Sequence, residues 1–284
     1  MTRAWPVRLG PHARGAPRVD AWRIGLAGLG GLLLLFLALP VVALLVRAIY
    51  GDDLLKSVTS PVVVDALTLS LATTSVSLVA IILLGTPLAL LLARSSFRGK
   101  SLVETLIDLP IILPPSVAGL ALLLAMGRRG VVGPLFEAAG IVIPFTNAAV
   151  ILAQVFVAAP FYVRAARAGF SSVEPEIEDA ARVDGAGPWA LLRLVTIPLA
   201  APAIGAGLVL AWARALGEFG ATIMFAGNLA GTTQTLPLVV YSEFQVSLES
   251  SVAAAAVLLL AALGVLLAVR LTRWRTALDE RMRA

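Results

Sequence analysis

The chain has 284 residues, of which 59% are hydrophobic and 14% charged, with a mean hydropathy of +0.95. A soluble fold of this size needs a far more polar surface, so lipid is the solvent for most of the chain. Cysteine is absent, which excludes a disulfide framework, a Cys-ligated metal and thiol catalysis, and the formal charge of +5 in a membrane protein points to orientation rather than nucleic-acid binding.

In chain order, residues 1–23 read as a basic leader carrying the single histidine, His12. Apolar runs near twenty residues then predict an all-α polytopic protein with six transmembrane helices. They are Ile24–Val46, Ala66–Leu92, Val103–Met126, Asn147–Phe170, Leu199–Phe225 and Ser250–Val269. The first is expected to be a retained span, because its apolar part is too long for a signal peptide and Arg47 closes it without a cleavage site. Residues 24–270 form the membrane domain, interrupted by a polar loop at 171–198, and 271–284 form a tail.

Basic residues set the orientation. Arg3, Arg8, Arg14, Arg18 and Arg23 share one side with Arg94, Arg98, Lys100, Arg164, Arg167, Arg182, Arg193 and the arginines of the tail. Arg47, Lys56, Arg128 and Arg129 fall on the other, and Arg214 lies within a span. The positive-inside bias predicts both termini and the 171–198 loop on the cytoplasmic side.

The third predicted span holds Asp108, Pro110, Pro114 and Pro115. Prolines remove backbone donors, and broken helices at membrane depth are tolerated only against protein or a cavity. Ser116 and the freed backbone groups near it are candidates for a translocation path, or the prolines make a packing kink; both readings stand. Asp108 belongs either to this span or to its inner interface. On the outer side, Arg128 and Arg129 either pair with acids of a partner or are solvated.

The loop "EPEIEDAARVDGAGPWALLRLVTIP", Glu174 to Pro198, is the most polar stretch between spans. Ser171 and Ser172 suit a helix cap, Pro175 a first turn, and the acids that follow complement the helix dipole. Ala180, Ala181 and Val183 offer a small-residue face, Gly185 and Gly187 end the helix, and Pro188 opens a second one that Pro198 is expected to stop. A plain connector needs neither paired glycines nor an apolar second helix, so the loop reads as a docking surface.

In the fifth span Arg214 and Glu218 lie four apart, on one helical face and within ion-pair reach. Such a pair either lines a watery path or neutralises itself while bracing helices. Gly217 and Gly220 flank the acid and permit close approach or a kink. Residues Thr235–Gln245 read as a short re-entrant or interfacial helix, with Tyr241 and Phe244 at the interface. "RSSFRGKS", Arg94–Ser101, ends like a phosphate loop but lacks its first glycine and its preceding strand.

Asp179-Ala180-Ala181, Gly185, Val195, Ile197 and Pro198 resemble the EAA loop of ABC importer permeases, whose pattern is Glu-Ala-Ala, three residues, Gly, nine residues, Ile, one residue, Leu-Pro. The departures are Asp for Glu at Asp179 and the Val195 and Ile197 exchanges. "LPIILPPSVAGLALLLAMGRRGVVG", "ARALGEFGATIMFAGN" and "TQTLPLVVYSEFQ" resemble the molybdate importer permeases, to which the sulfate importer permeases are similar, and "GEFGATI" followed by "TQTLPL" leans toward molybdate or tungstate. The resemblance implies that Glu178, Asp179, Ala180, Ala181, Asp184, Gly185, Ala186 and Pro198 belong to an ATPase-coupling loop. It implies two copies of an ABC ATP-binding subunit, which use ATP and Mg, and an extracytoplasmic oxyanion-binding protein. A homodimer in a prokaryotic inner membrane is expected, with no cofactor in this chain and no enzymatic activity of its own. Ser116, Arg214, Glu218 and Thr235 are the candidates for lining the pathway or bracing its helices. An ion-coupled secondary transporter would predict ionisable relays and inverted repeats, and a scaffold would leave the loop unexplained.

Overall fold

In a computed structural model, residues 21–51, 56 and 58–283 are described, excepting the side chains of 21, 24 and 268–283. Most of the expected leader, with Arg3, Arg8, His12, Arg14 and Arg18, and the side chains of the expected tail lie outside the described residues. Those residues form helices and connecting turns, without a strand. Contacts divide the chain into two units, Met1–Arg47 and Ala48–Ala284.

The first unit contains most of helix α1 (Ala21–Ile49), whose apolar stretch Gly25–Ile49 is long enough to cross a bilayer. In the second unit, α2 (Pro61–Arg94) is N-capped by Ser60, whose side chain accepts the Val63 N–H. Then come α3 (Lys100–Ile112), α4 (Pro115–Met126) and a short α5 (Gly133–Ala138). Helix α6 (Asn147–Ser171) matches the fourth predicted span almost residue for residue. The loop follows as α7 (Pro175–Val183) and α8 (Pro188–Leu191), then a π-helical segment (Leu192–Thr196) leads into α9 (Ile197–Leu216). The chain ends with α10 (Gly220–Phe225), α11 (Leu236–Phe244) and α12 (Leu248–Arg283).

Among the described residues five helices are long and apolar enough to span a membrane, and α3 with α4 makes a sixth span if the bent pair is taken together. That pair corrects the expectation of one continuous third span. The two helices meet at 119°, and at about 1.5 Å per residue neither crosses a hydrocarbon core alone. The cause is local: a residue before proline is driven out of the α region, and Leu113 (ψ 132°) and Pro114 (ψ 137°) are both extended. The fifth span is also corrected. Its helix stops at Leu216, and Gly220–Phe225 is a separate short helix after a break at Gly217–Phe219. The last helix, by contrast, runs through the residues expected as a tail.

The core centres on α6. Tyr162, Phe170 and Ala166 pack with Ile81 and Leu92 of α2 and with Ala211 and Ala215 of α9. Small residues make this close: a Cβ on Gly207 would lie 2.6 Å from the Ala165 methyl, and one on Gly169 2.7 Å from that of Ala203. A second cluster joins Ala118 and Leu122 of α4 to Val150 and Val157 of α6 and Phe225 of α10. A third joins Val63 of α2 to Leu236 and Val239 of α11 and Ala254 of α12.

Within the apolar bundle runs one polar seam. Ser70, Thr73, Thr74 and Ser77 of α2 are all buried, as is Gln154 of α6. The Ser77 hydroxyl donates to Gln154 Oε1 at 2.9 Å, and Gln154 Nε2 donates to Thr73 and Thr74 at 3.3 Å each. Ser70 accepts the Leu236 N–H at 2.7 Å, tying the start of α11 to α2. No water competes for such groups in lipid, so each finds a protein partner.

Candidate functional site

Two places collect the polar chemistry of the second unit. The first is the 171–198 loop. Ser172 is not a cap for α7: its backbone closes α6, and its hydroxyl donates to the Gly169 carbonyl at 2.8 Å. Glu174 occupies the N-cap position in extended conformation, without a side-chain capping bond, and Pro175 takes the first turn as its fixed φ predicts. At the other end Ala186 N–H reaches the Ala181 carbonyl at 2.9 Å, and Gly185 adopts φ +90°. This is a Schellman closure, in which a left-handed glycine satisfies the last carbonyls of a helix. Gly187 needs no such freedom, since it is extended at φ −68°.

Pro198 does not stop the second helix. Residues Pro188–Leu216 run on as a single apolar rod, and Pro198 sits two residues past the π segment. A proline in a regular helix clashes with the carbonyl four residues back and leaves it unbonded. The wider π register directly upstream relaxes that conflict, as single-turn π bulges do.

The sides of α7 differ. Asp179, Ala180 and Val183 are exposed, with Val183 at 87%, and the exposure continues at Trp189 (70%) and Leu194 (70%). Asp184 and Gly185 are exposed too, and Ala181 and Ala186 are half-buried. Glu178 alone turns inward, 6% exposed. Its Oε1 accepts from Arg94 Nη2 at 2.6 Å and from the Thr196 hydroxyl at 2.7 Å. Arg182 lies 3.6 Å from Oε2 and bonds Asp179 at 2.5 Å. At the same end of the bundle α3 and α6 are cross-linked by Glu104–Arg167 at 2.9 Å and Asp108–Arg164 at 3.6 Å, which resolves Asp108 as an ion-pair partner near the end of α6.

The second place is the break after α9. Arg214 and Glu218 do pair, Nη1 to Oε2 at 2.5 Å, but not on a shared helical face, because the helix has already ended. Glu218 is 1% exposed and its other oxygen accepts the Ala221 N–H at 2.6 Å, satisfying an orphan donor of α10. The break lies against the bend of the third span: a Cβ on Gly220 would come within 2.6 Å of Pro115 Cβ and 3.2 Å of the Ser116 nitrogen. Ser116 and the Arg214–Glu218 pair therefore belong to one region, with Ser116 exposed. Phe219 and Tyr241 pack ring to ring in a tilted arrangement, centroids 5.2 Å apart, which ties the break to α11 and gives Tyr241 a protein contact beyond its expected interfacial place. Thr235, 1% exposed, is the N-cap residue of α11 beside the Ser70 anchor rather than part of the break. Among the described residues no group of acids and histidines has a metal-holding arrangement.

Reading the residues alone missed Arg94 and Thr196 as parts of the first site, and it missed the separate Ser70–Gln154 seam. The seam had a signal: positions 70, 73, 74 and 77 are a helical stripe of hydroxyls in an otherwise apolar segment. Arg94 and Thr196 had none, since each finds Glu178 only through the fold.

A helical bundle with two interrupted spans and a polar helical loop between two others describes a polytopic membrane protein. The family model for the binding-protein-dependent transport system inner membrane component matches residues 85–284, and the chain belongs to that family, the permease subunits of ABC importers. It is 42% identical over 83% of its length to the molybdenum transport system permease protein ModB of Mycobacterium tuberculosis (strain ATCC 25618 / H37Rv), covering 89% of that relative. It is 37% identical to the probable transport system permease protein NifC of Clostridium pasteurianum, over 83% of this chain and 82% of that relative. In fold it is similar to a bacterial ABC transporter involved in the import of the acidic polysaccharide alginate, with TM-score 0.69 at 20% identity over 89% of this chain and 96% of that one.

Proposed function

We propose that the chain is the transmembrane subunit of an ATP-driven importer of molybdate, working as a homodimer by alternating access. The observation that carries the substrate class is the 42% identity, over 83% of the chain, to a molybdenum transport permease. Two copies of an ATP-hydrolysing subunit dock on the exposed side of the loop, through Asp179, Ala180, Val183 and Trp189, and there ATP and Mg are used. The bias of basic residues toward the loop's side of the spans supports a cytoplasmic loop and cytoplasmic termini. An extracytoplasmic binding protein delivers the oxyanion to the opposite end. ATP binding draws the two ATPase subunits together, the loops move with them, and the pathway between the permeases exchanges its open side. Arg214, held by Glu218, braces the broken helix rather than gripping the anion, since a tight intramembrane ligand would slow release.

The test is elemental. In a deletion strain grown at trace molybdate, cellular molybdenum and tungsten are measured alongside labelled sulfate uptake. A fall in molybdenum, restored by the intact gene and with sulfate uptake preserved, is expected. A fall in sulfate uptake instead, or no change once redundant importers are deleted, overturns the molybdate assignment.

A further inference from the structure

We propose that Glu178, Arg94 and Thr196 form the joint through which movement of the loop reaches the membrane helices, Arg94 and Thr196 acting as positioning residues. This deepens, and rests on, the reading of the loop as an ATPase docking site. Of the acids in the first turn of α7, Glu176 is exposed and solvated, whereas Glu178 is buried. A buried carboxylate is tolerated only when it is paired and hydrogen-bonded. Here both donors to Oε1 come from other elements: Arg94 from the last turn of α2, and Thr196 from the π segment that opens into α9.

The loop therefore cannot shift against either span without dragging it or uncovering the charge. Beside the joint lies a groove of about 870 Å³, walled in part by Pro87, Leu91, Leu191 and Leu192. Across this groove the Arg94–Glu178 pair links the loop to the end of α2. The π segment places the third member at a widened turn, the kind of local irregularity where a helix accommodates displacement. Exposed residues of α7 meet the partner, and its one buried acid passes the motion inward.

The test uses the complex purified with its ATP-hydrolysing subunit and reconstituted in vesicles with the loaded binding protein. For Arg94→Met and Thr196→Val, the ATPase subunit copurifies in the usual ratio while substrate delivered per ATP falls about tenfold, within the range of typical coupling energies. The exchange Arg94→Glu with Glu178→Arg restores the ratio, which loss of mere stability does not allow. An unchanged ratio in both single variants overturns the joint. Should Arg94→Met fail to fold, Thr196→Val, which only replaces a hydroxyl by a methyl, decides alone. Val183→Asp, on the exposed side, reports on docking separately. Undiminished ATPase association in that variant overturns the docking reading, whatever the ratio in the other two.

Discussion

Glu178 and Glu218 are both buried glutamates beside an arginine, 6% and 1% exposed, yet they are held in opposite ways. Glu218 is satisfied locally, by Arg214 four residues back and by the Ala221 N–H three residues on. Glu178 is satisfied from a distance, by Arg94 and Thr196 on two other elements. A locally held acid shapes the chain at its own position, here the break between α9 and α10. A remotely held acid ties separate elements together. Equal burial thus serves two different purposes, and sequence spacing is what distinguishes them.

The comparison is broken most severely at Arg214. Arg214→Met leaves the Glu218 carboxylate buried without its counter-charge, a loss of about 3–5 kcal/mol. Thermal unfolding in detergent should show it as the largest drop in unfolding temperature of the set. Charge exchange sharpens the contrast. Exchanging Arg214 and Glu218 should rescue only partly, because an arginine at 218 cannot accept the Ala221 N–H. Exchanging Arg94 and Glu178 should rescue more fully, because the Thr196 hydroxyl can either donate or accept.

Gly220→Ala probes the region around Glu218 without touching charge. Its new Cβ would lie 2.6 Å from Pro115 Cβ. Overpacking of that kind costs about 1–3 kcal/mol, readable as a lower unfolding temperature, with ATPase association unchanged. Gln154→Leu supplies an uncharged control for remote tethering. Interhelical hydrogen bonds in membranes average about 0.6 kcal/mol, so losing the seam should cost about 1 kcal/mol in the same assay. The smallest effect is expected from Arg182→Ala. Its pairing with exposed Asp179 contributes about 0.2–1 kcal/mol, and a double-mutant cycle with Asp179→Ala should return a coupling in that range. A larger coupling would overturn the reading of this pair as a solvated surface contact.

Much of the chain was legible before its structure. The α6 boundaries follow from a largely apolar run between Asn147 and Phe170, and the turn at Gly185 from a glycine that ends an acidic helix. The long spacing from Asp179 to Pro198 marked the loop that the family places there. The prolines at 110, 114 and 115 announced a disturbance in the third span, but not its 119° size, since proline forbids a conformation without choosing among those that remain. The spacing of Arg214 and Glu218 gave the right pair for the wrong reason: they meet across a helix end. Pro198 misled in the other direction, because a π bulge lets a helix pass a residue that ordinarily ends it.

The sequence by itself determined the solvent, the number of apolar segments, the polar loop and the family. Each of these is written in composition, run length or fixed spacing, properties that depend on neighbours along the chain. Only the tertiary structure decided which acid of the loop turns inward, which arginine meets it, and that the two interrupted spans lie against one another at Pro115 and Gly220. Those facts depend on helices packed side by side, where the partners of one carboxylate stand 84 and 18 residues away and no local pattern links them.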